Sequence, residues 1–138
     1  MAERLIADTG AILALVNGRD EHHDWAVSCF RGMSGSLVTC EAVLTECWHF
    51  VGGSVEALGM LVSMVEKRVL RVGFDFEENG SEVLGLLEKY RDTPMDFADA
   101  CLVRMTELEK KSRVWTVDAD FKIYRRNQRQ VVPVLAPW

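Results

Sequence analysis

The chain alternates short apolar runs with longer stretches of helical spacing. "RLIAD" (Arg4 to Asp8) is a compact apolar run closed by an acid, which predicts a buried strand. "TGAILALVNG" then predicts a short helix, with Thr9 as N-cap and Gly18 as stop signal. A second helix fits His22 to Arg31. "SLVT" (Ser36 to Thr39) predicts a short strand, and helices follow over Cys40 to Val51 and Val55 to Lys67. "VLRVGF" (Val69 to Phe74) is rich in β-branched residues and predicts a strand. Glu77 to Tyr90 predicts a helix weakened by Gly80 and Gly85. Another helix is predicted from Pro94 to about Lys110. Thr93 would cap it, Pro94 would take its first position, and Asp96 would be the acidic member of a capping box. "RVWTV" (Arg113 to Val117) and "VVPVL" (Val131 to Leu135) predict the last two strands. The final strand should be an edge, because Pro133 has no N–H for a sheet ladder.

Strands separated by helices imply parallel pairing through crossovers. The expected fold is therefore α/β, with a parallel sheet of about five short strands. The 138 residues suit one domain, 1–138, and contain no repeat or low-complexity tract. No apolar run approaches the ~18 residues of a membrane span. The opening "MAERLIAD" carries an acid and no long apolar segment, so no signal peptide is expected and a cytoplasmic location is the default. Cys29, Cys40, Cys47 and Cys101 form no C-x-x-C pair and are expected to be reduced, buried thiols.

Net charge changes the picture of function. At −5, the chain is unlike a passive nucleic-acid binder, which is usually basic, unless its carboxylates gather around a cation. Several acids stand where a reason is needed. Asp8 and Asp118 both end strands, where open α/β sheets bind ligands, although either can equally be a turn initiator or cap. Glu46 lies on the flank of an apolar stripe with Ala42, Val43, Cys47 and Phe50; it is either a rim residue or a carboxylate that needs a partner. Asp99 lies one turn beyond Asp96, beside Leu102 and Val103, with no capping role to explain it. Asp120 follows Asp118 by two and reads as a turn residue or a further ligand. Converging carboxylates repel one another unless a cation neutralises them, and all-oxygen ligands select hard ions such as Mg²⁺ or Mn²⁺. The chemistry this suggests is phosphodiester hydrolysis.

Four stretches, in order, resemble the PIN domain, and specifically the VapC-type toxins of toxin–antitoxin systems. "LIADTGAILALV" is similar to the opening strand and helix with the first acid. "LVTCEAVLTECWHFV" resembles the strand and helix with the central glutamate. "PMDFADACLVRMTE" resembles the helix of the third acid, and "VWTVDADFKIYRR" the late acidic loop with its aromatic and basic continuation. The resemblance implies a three-layer α/β/α domain and a Mg²⁺- or Mn²⁺-dependent endoribonuclease. Asp8, Glu46, Asp99 and Asp118 fall on its catalytic, metal-binding acids. Thr9, Asp96 and Asp120 match neighbouring or additional positions. The implied partners are RNA, a cognate antitoxin and a second copy of the chain. Cys47 and Cys101 stand where the family would have small residues, and His22 and His23 read as structural.

Lys122, Arg125 and Arg126 are either RNA-phosphate contacts or a solvated basic segment. The alternative to a nuclease is a catalytically inactive PIN-fold module that binds RNA or protein. Two other aspartate chemistries are excluded. A dehalogenase-type phosphatase needs an acid two residues after its nucleophile, where this chain has Gly10. An aspartic protease is β-rich and needs a second Asp-Thr-Gly.

Overall fold

The computed structural model describes residues 3–138. Five parallel strands form the central sheet: β1 (Arg4–Ala7), β2 (Leu37–Thr39), β3 (Leu70–Val72), β4 (Ser112–Trp115) and β7 (Val134–Leu135), in the order β3-β2-β1-β4-β7. The predicted α/β class and strand count are therefore observed. Ile6 pairs with Val38 on one side and Val114 on the other, so β1 is the centre. The chain leaves β1 towards β2 and returns to its other side as β4. The sheet order thus reverses at β1, the arrangement that opens a crevice beyond the carboxyl ends of the strands.

Six helices flank the sheet: α1 (Thr9–Val16), α2 (His23–Arg31), α3 (Glu41–Phe50), α4 (Val55–Glu66), α5 (Phe76–Lys89) and α6 (Phe97–Leu108). α1 packs against α2, α3 and α4, while α6 packs against α5 and lies on β1 and β4. Ile6, Ile12, Leu37, Leu102, Trp115, Phe121 and Tyr124 are wholly buried between these layers. β2 and most of β4 are buried because both faces of the sheet's centre are covered, whereas β3 leaves Arg71 and Val72 exposed.

Four local expectations are corrected. The N-cap of α1 is Asp8, whose Oδ1 accepts the Thr9 N–H at 2.8 Å, so Thr9 is already helical. α6 begins three residues later than Pro94: Asp96 is its N-cap, and Thr93 instead donates its hydroxyl to the Tyr90 carbonyl. Asp99 is the reciprocal member of that capping box, so it does have a capping role. Finally, Val131 to Leu135 is not one strand. Arg125–Arg126 (β5) and Gln130–Val131 (β6) form an antiparallel hairpin, and only Val134–Leu135 joins the sheet. β7 is an edge as expected, and the Pro133 carbonyl accepts from Val114 N–H at 2.9 Å.

Gly10 is required by a close approach. A Cβ there would stand 2.6 Å from Cγ2 of Val117, the residue before Asp118. The glycine lets the first turn of α1 and the end of β4 come together, which draws Asp8 and Asp118 towards one place.

Candidate active site

The four candidate carboxylates come from four different places in the fold. Asp8 caps α1 directly after β1. Glu46 projects from the middle of α3. Asp99 is in the first turn of α6. Asp118 follows β4 and caps a 3₁₀ turn over Ala119–Lys122. Asp8 and Asp99 are buried, while Glu46 and Asp118 are half-buried.

Each is held by a short network. Oδ2 of Asp8 accepts the Thr116 hydroxyl at 2.6 Å, and Thr116 Oγ1 in turn accepts the Asp118 N–H at 2.9 Å. The Thr9 hydroxyl donates to Glu46 Oε1 at 2.6 Å. Asp118 Oδ1 accepts the Asp120 N–H at 2.9 Å. Oδ2 of Asp99 accepts both the Tyr124 hydroxyl, at 3.1 Å, and the Asp96 N–H, at 3.2 Å. Among the described residues, Glu46 Oε2, Asp99 Oδ1 and Asp118 Oδ2 accept no hydrogen bond. The protein fixes one oxygen of each of these acids and leaves the other available.

All four acids are shifted in the same direction. Burial pushes Asp8 up to about 6 against the pull of Thr116 and Thr9, and the charges of Asp118 and Glu46 add to the rise. Burial, then the Asp96 charge, pushes Asp99 up to about 8, with Asp8 contributing. Glu46 is raised by burial and by Asp96, and Asp118 by burial and by Asp120. Burial is the largest cause for each acid, and a neighbouring carboxylate adds to it. Tyr124 is also pushed upward, chiefly by burial, so its hydroxyl remains a proton donor.

Among the described residues, no three His, Cys, Asp or Glu side chains form a ready-made metal cage. The donor set still suits a hard divalent ion in kind: all oxygen, mutually repelling, with one uncommitted oxygen on each of three acids.

Of the other sequence candidates, Asp96 is exposed and its Oδ1 accepts the Asp99 N–H, while Asp120 is half-buried in the 3₁₀ turn. Lys122 is exposed, with Nζ 4.8 Å from the Trp138 ring. Arg125 Nη1 donates to the carbonyls of Lys122, Ile123 and Tyr124, and Arg126 Nη1 to that of Thr106. The basic segment is thus a braced hairpin rather than a loose tail. His23 Nδ1 lies 2.8 Å from the Ala14 carbonyl, and Cys40, Cys47 and Cys101 are buried free thiols.

Thr116 and Tyr124 were missed as functional residues. Thr116 carried a signal, being a lone hydroxyl inside the apolar run "VWTV" that ends on an acid. Tyr124 carried none, because "DFKIY" reads as ordinary aromatic filling.

The PIN domain family model matches residues 5–127, which takes in all four carboxylates and their partners. The chain belongs to the PIN domain family. No curated protein matches the sequence. Among solved structures, this PIN domain is similar to VapC20 of Mycobacterium tuberculosis, a sarcin-ricin loop cleaving toxin. The TM-score is 0.76, over 86% of this chain and 93% of that one, with 20% identical residues. At that identity the likeness establishes a shared fold.

Proposed function

We propose that this PIN domain is a Mg²⁺- or Mn²⁺-dependent endoribonuclease and the toxin of a type II toxin–antitoxin pair. The observation that carries the reading is the set of four acids, two following strands β1 and β4 and two on helices α3 and α6, three of them with an uncommitted oxygen. Glu46, Asp99 and Asp118 would hold the ion through those oxygens, and Asp8 through its charge or one of its two bonded oxygens. Bound there, the ion supplies charge neutralisation at the phosphate and an acidified water. Thr116 and Thr9 keep Asp8 and Glu46 in fixed orientations. Asp96 and Asp120 add negative charge at the rim. Lys122, Arg125 and Arg126 follow Asp118 along the chain and are assigned to RNA phosphates.

Exposed Trp48, Phe50, Val55, Leu58 and Met60, on α3 and α4, supply apolar surface for an antitoxin or a second copy of the chain. No helix among the described residues is long and apolar enough to cross a membrane, and the assignment places the protein with its RNA substrate in the cytoplasm.

The deciding experiment compares the wild-type chain with Asp8→Asn on total RNA, with Mn²⁺ and with chelator. Cleavage that needs Mn²⁺ and vanishes in Asp8→Asn is expected. Cleavage by Asp8→Asn at the wild-type rate would refute the assignment. Absence of both cleavage and Mn²⁺ binding in the wild type would favour the inactive binding module.

A further inference from the structure

Three of the four acids are held by residues that follow β1 or β4 closely in the chain. Asp8 is held by Thr9 and Thr116, Glu46 by Thr9, and Asp118 by Asp120. Asp99 differs. Its side-chain partner, Tyr124, arrives from the segment between the 3₁₀ turn and the β5–β6 hairpin.

That segment is pinned from several directions. The Tyr124 ring is wholly buried, edge-on to Phe121 at 5.2 Å and to Tyr90 at 5.4 Å. Immediately after it, the Arg125 N–H donates to the Tyr90 hydroxyl at 2.9 Å. The Asn127 N–H donates to Glu107 Oε2 at 2.7 Å, and Lys89 Nζ to the Gln128 carbonyl at 2.9 Å. These bonds fasten the hairpin to α5 and α6, and those from Lys89 and to Glu107 hold it independently of the Tyr90 hydroxyl.

We propose that Tyr124 is a positioning residue: its phenol fixes Oδ2 of Asp99 so that Oδ1, which accepts from no protein donor among the described residues, stays available to the cation. The proposal rests on the metal-nuclease reading for its consequence, and on the hydrogen-bond geometry alone for the orientation of Asp99. Groups that orient a ligand carboxylate typically change metal affinity or activity by about 10–100-fold when removed. The opposing explanation is that Asp99 merely satisfies a buried phenol. Phenylalanine would then be neutral or stabilising at this position, because the donor needing a partner would be gone.

The two are separated by Tyr124→Phe, with Tyr90→Phe as control. Tyr90 also carries a phenol in the same aromatic cluster, but no hydrogen bond joins it to a carboxylate of the site. Calorimetric titration with Mn²⁺ is expected to show affinity about tenfold weaker in Tyr124→Phe and unchanged within about twofold in Tyr90→Phe. RNA cleavage by Tyr124→Phe is expected to lose kcat with little change in KM. A crystal structure of metal-free Tyr124→Phe is expected to show the Asp99 carboxylate turned from its present orientation.

Unchanged Mn²⁺ affinity alongside wild-type binding would overturn the proposal, as would an Asp99 carboxylate that has not moved. A Tyr124→Phe chain that fails to fold would assign the hydroxyl to the core and overturn it too. Should the wild type bind no Mn²⁺, the metal reading falls, while the position of Asp99 in the variant still decides whether Tyr124 orients it.

Discussion

Thr116 shows how a single hydroxyl can organise two acids. It donates to Asp8 and accepts from the backbone of Asp118, so it ties the end of β4 to the end of β1. Thr116→Val keeps the shape but removes both bonds. Leaving the Asp118 N–H and one Asp8 oxygen unpartnered should cost about 1–3 kcal/mol of stability, measurable by urea unfolding. RNA cleavage should fall along with it, and a fully active Thr116→Val would show that Asp8 needs no such brace.

Gly10 poses the complementary steric case. A methyl group at 2.6 Å from Val117 forces the first turn of α1 away from the end of β4. Gly10→Ala should therefore destabilise by about 1–3 kcal/mol, although alanine is the better helix former. A rise in melting temperature would mean that the turn yields freely. The neighbour that Gly10 makes room for, 107 positions away, was not legible in the sequence.

At the scale of elements, α6 shows how local signals mislead. Thr93 and Pro94 are the pattern expected of a helix start, yet the helix begins at Phe97 because Asp96 and Asp99 cap each other reciprocally. The capping motif was read correctly in kind and placed one turn too early. That error hid the double role of Asp99, which is both a cap and a buried acid. The two roles can be pulled apart at Asp96. Asparagine caps as well as aspartate, whereas alanine does not. Asp96→Ala should lose about 1 kcal/mol of stability. Asp96→Asn should lose little or gain, because the charge that raises Asp99 and Glu46 is removed. Equal losses in the two variants, by thermal unfolding, would contradict the capping role.

The β5–β6 hairpin is the element least visible in the sequence. Two-residue strands have no usable alternation, and its turn uses left-handed Asn127 and Gln128 without a glycine. Tertiary bonds from Lys89, Glu107 and Arg126 hold it, and none of these has a local signature.

At the scale of the whole molecule, the acids that make the site also strain it. In the unfolded chain all four ionise near ordinary carboxylate values. In the folded chain Asp8 keeps its proton up to about 6 and Asp99 up to about 8. Between the unfolded and folded values the native state binds more protons, so stability falls as pH rises across that window. The metal-free protein should therefore melt several degrees lower at about pH 8 than at about pH 5. A divalent ion bound at the proposed site would compete with the same protons. Mn²⁺ should bind more tightly at about pH 8 than at about pH 6, releasing protons as it binds, and should raise the melting temperature most where the metal-free chain is weakest. Calorimetry in two buffers of different ionisation heat counts those protons. A melting temperature that rises steadily with pH in chelator, or Mn²⁺ binding that ignores pH, would mean that the carboxylates do not share one site. The first outcome tests their crowding and the second their use; under the proposed function, the acidic net charge is the property on which the cation would act.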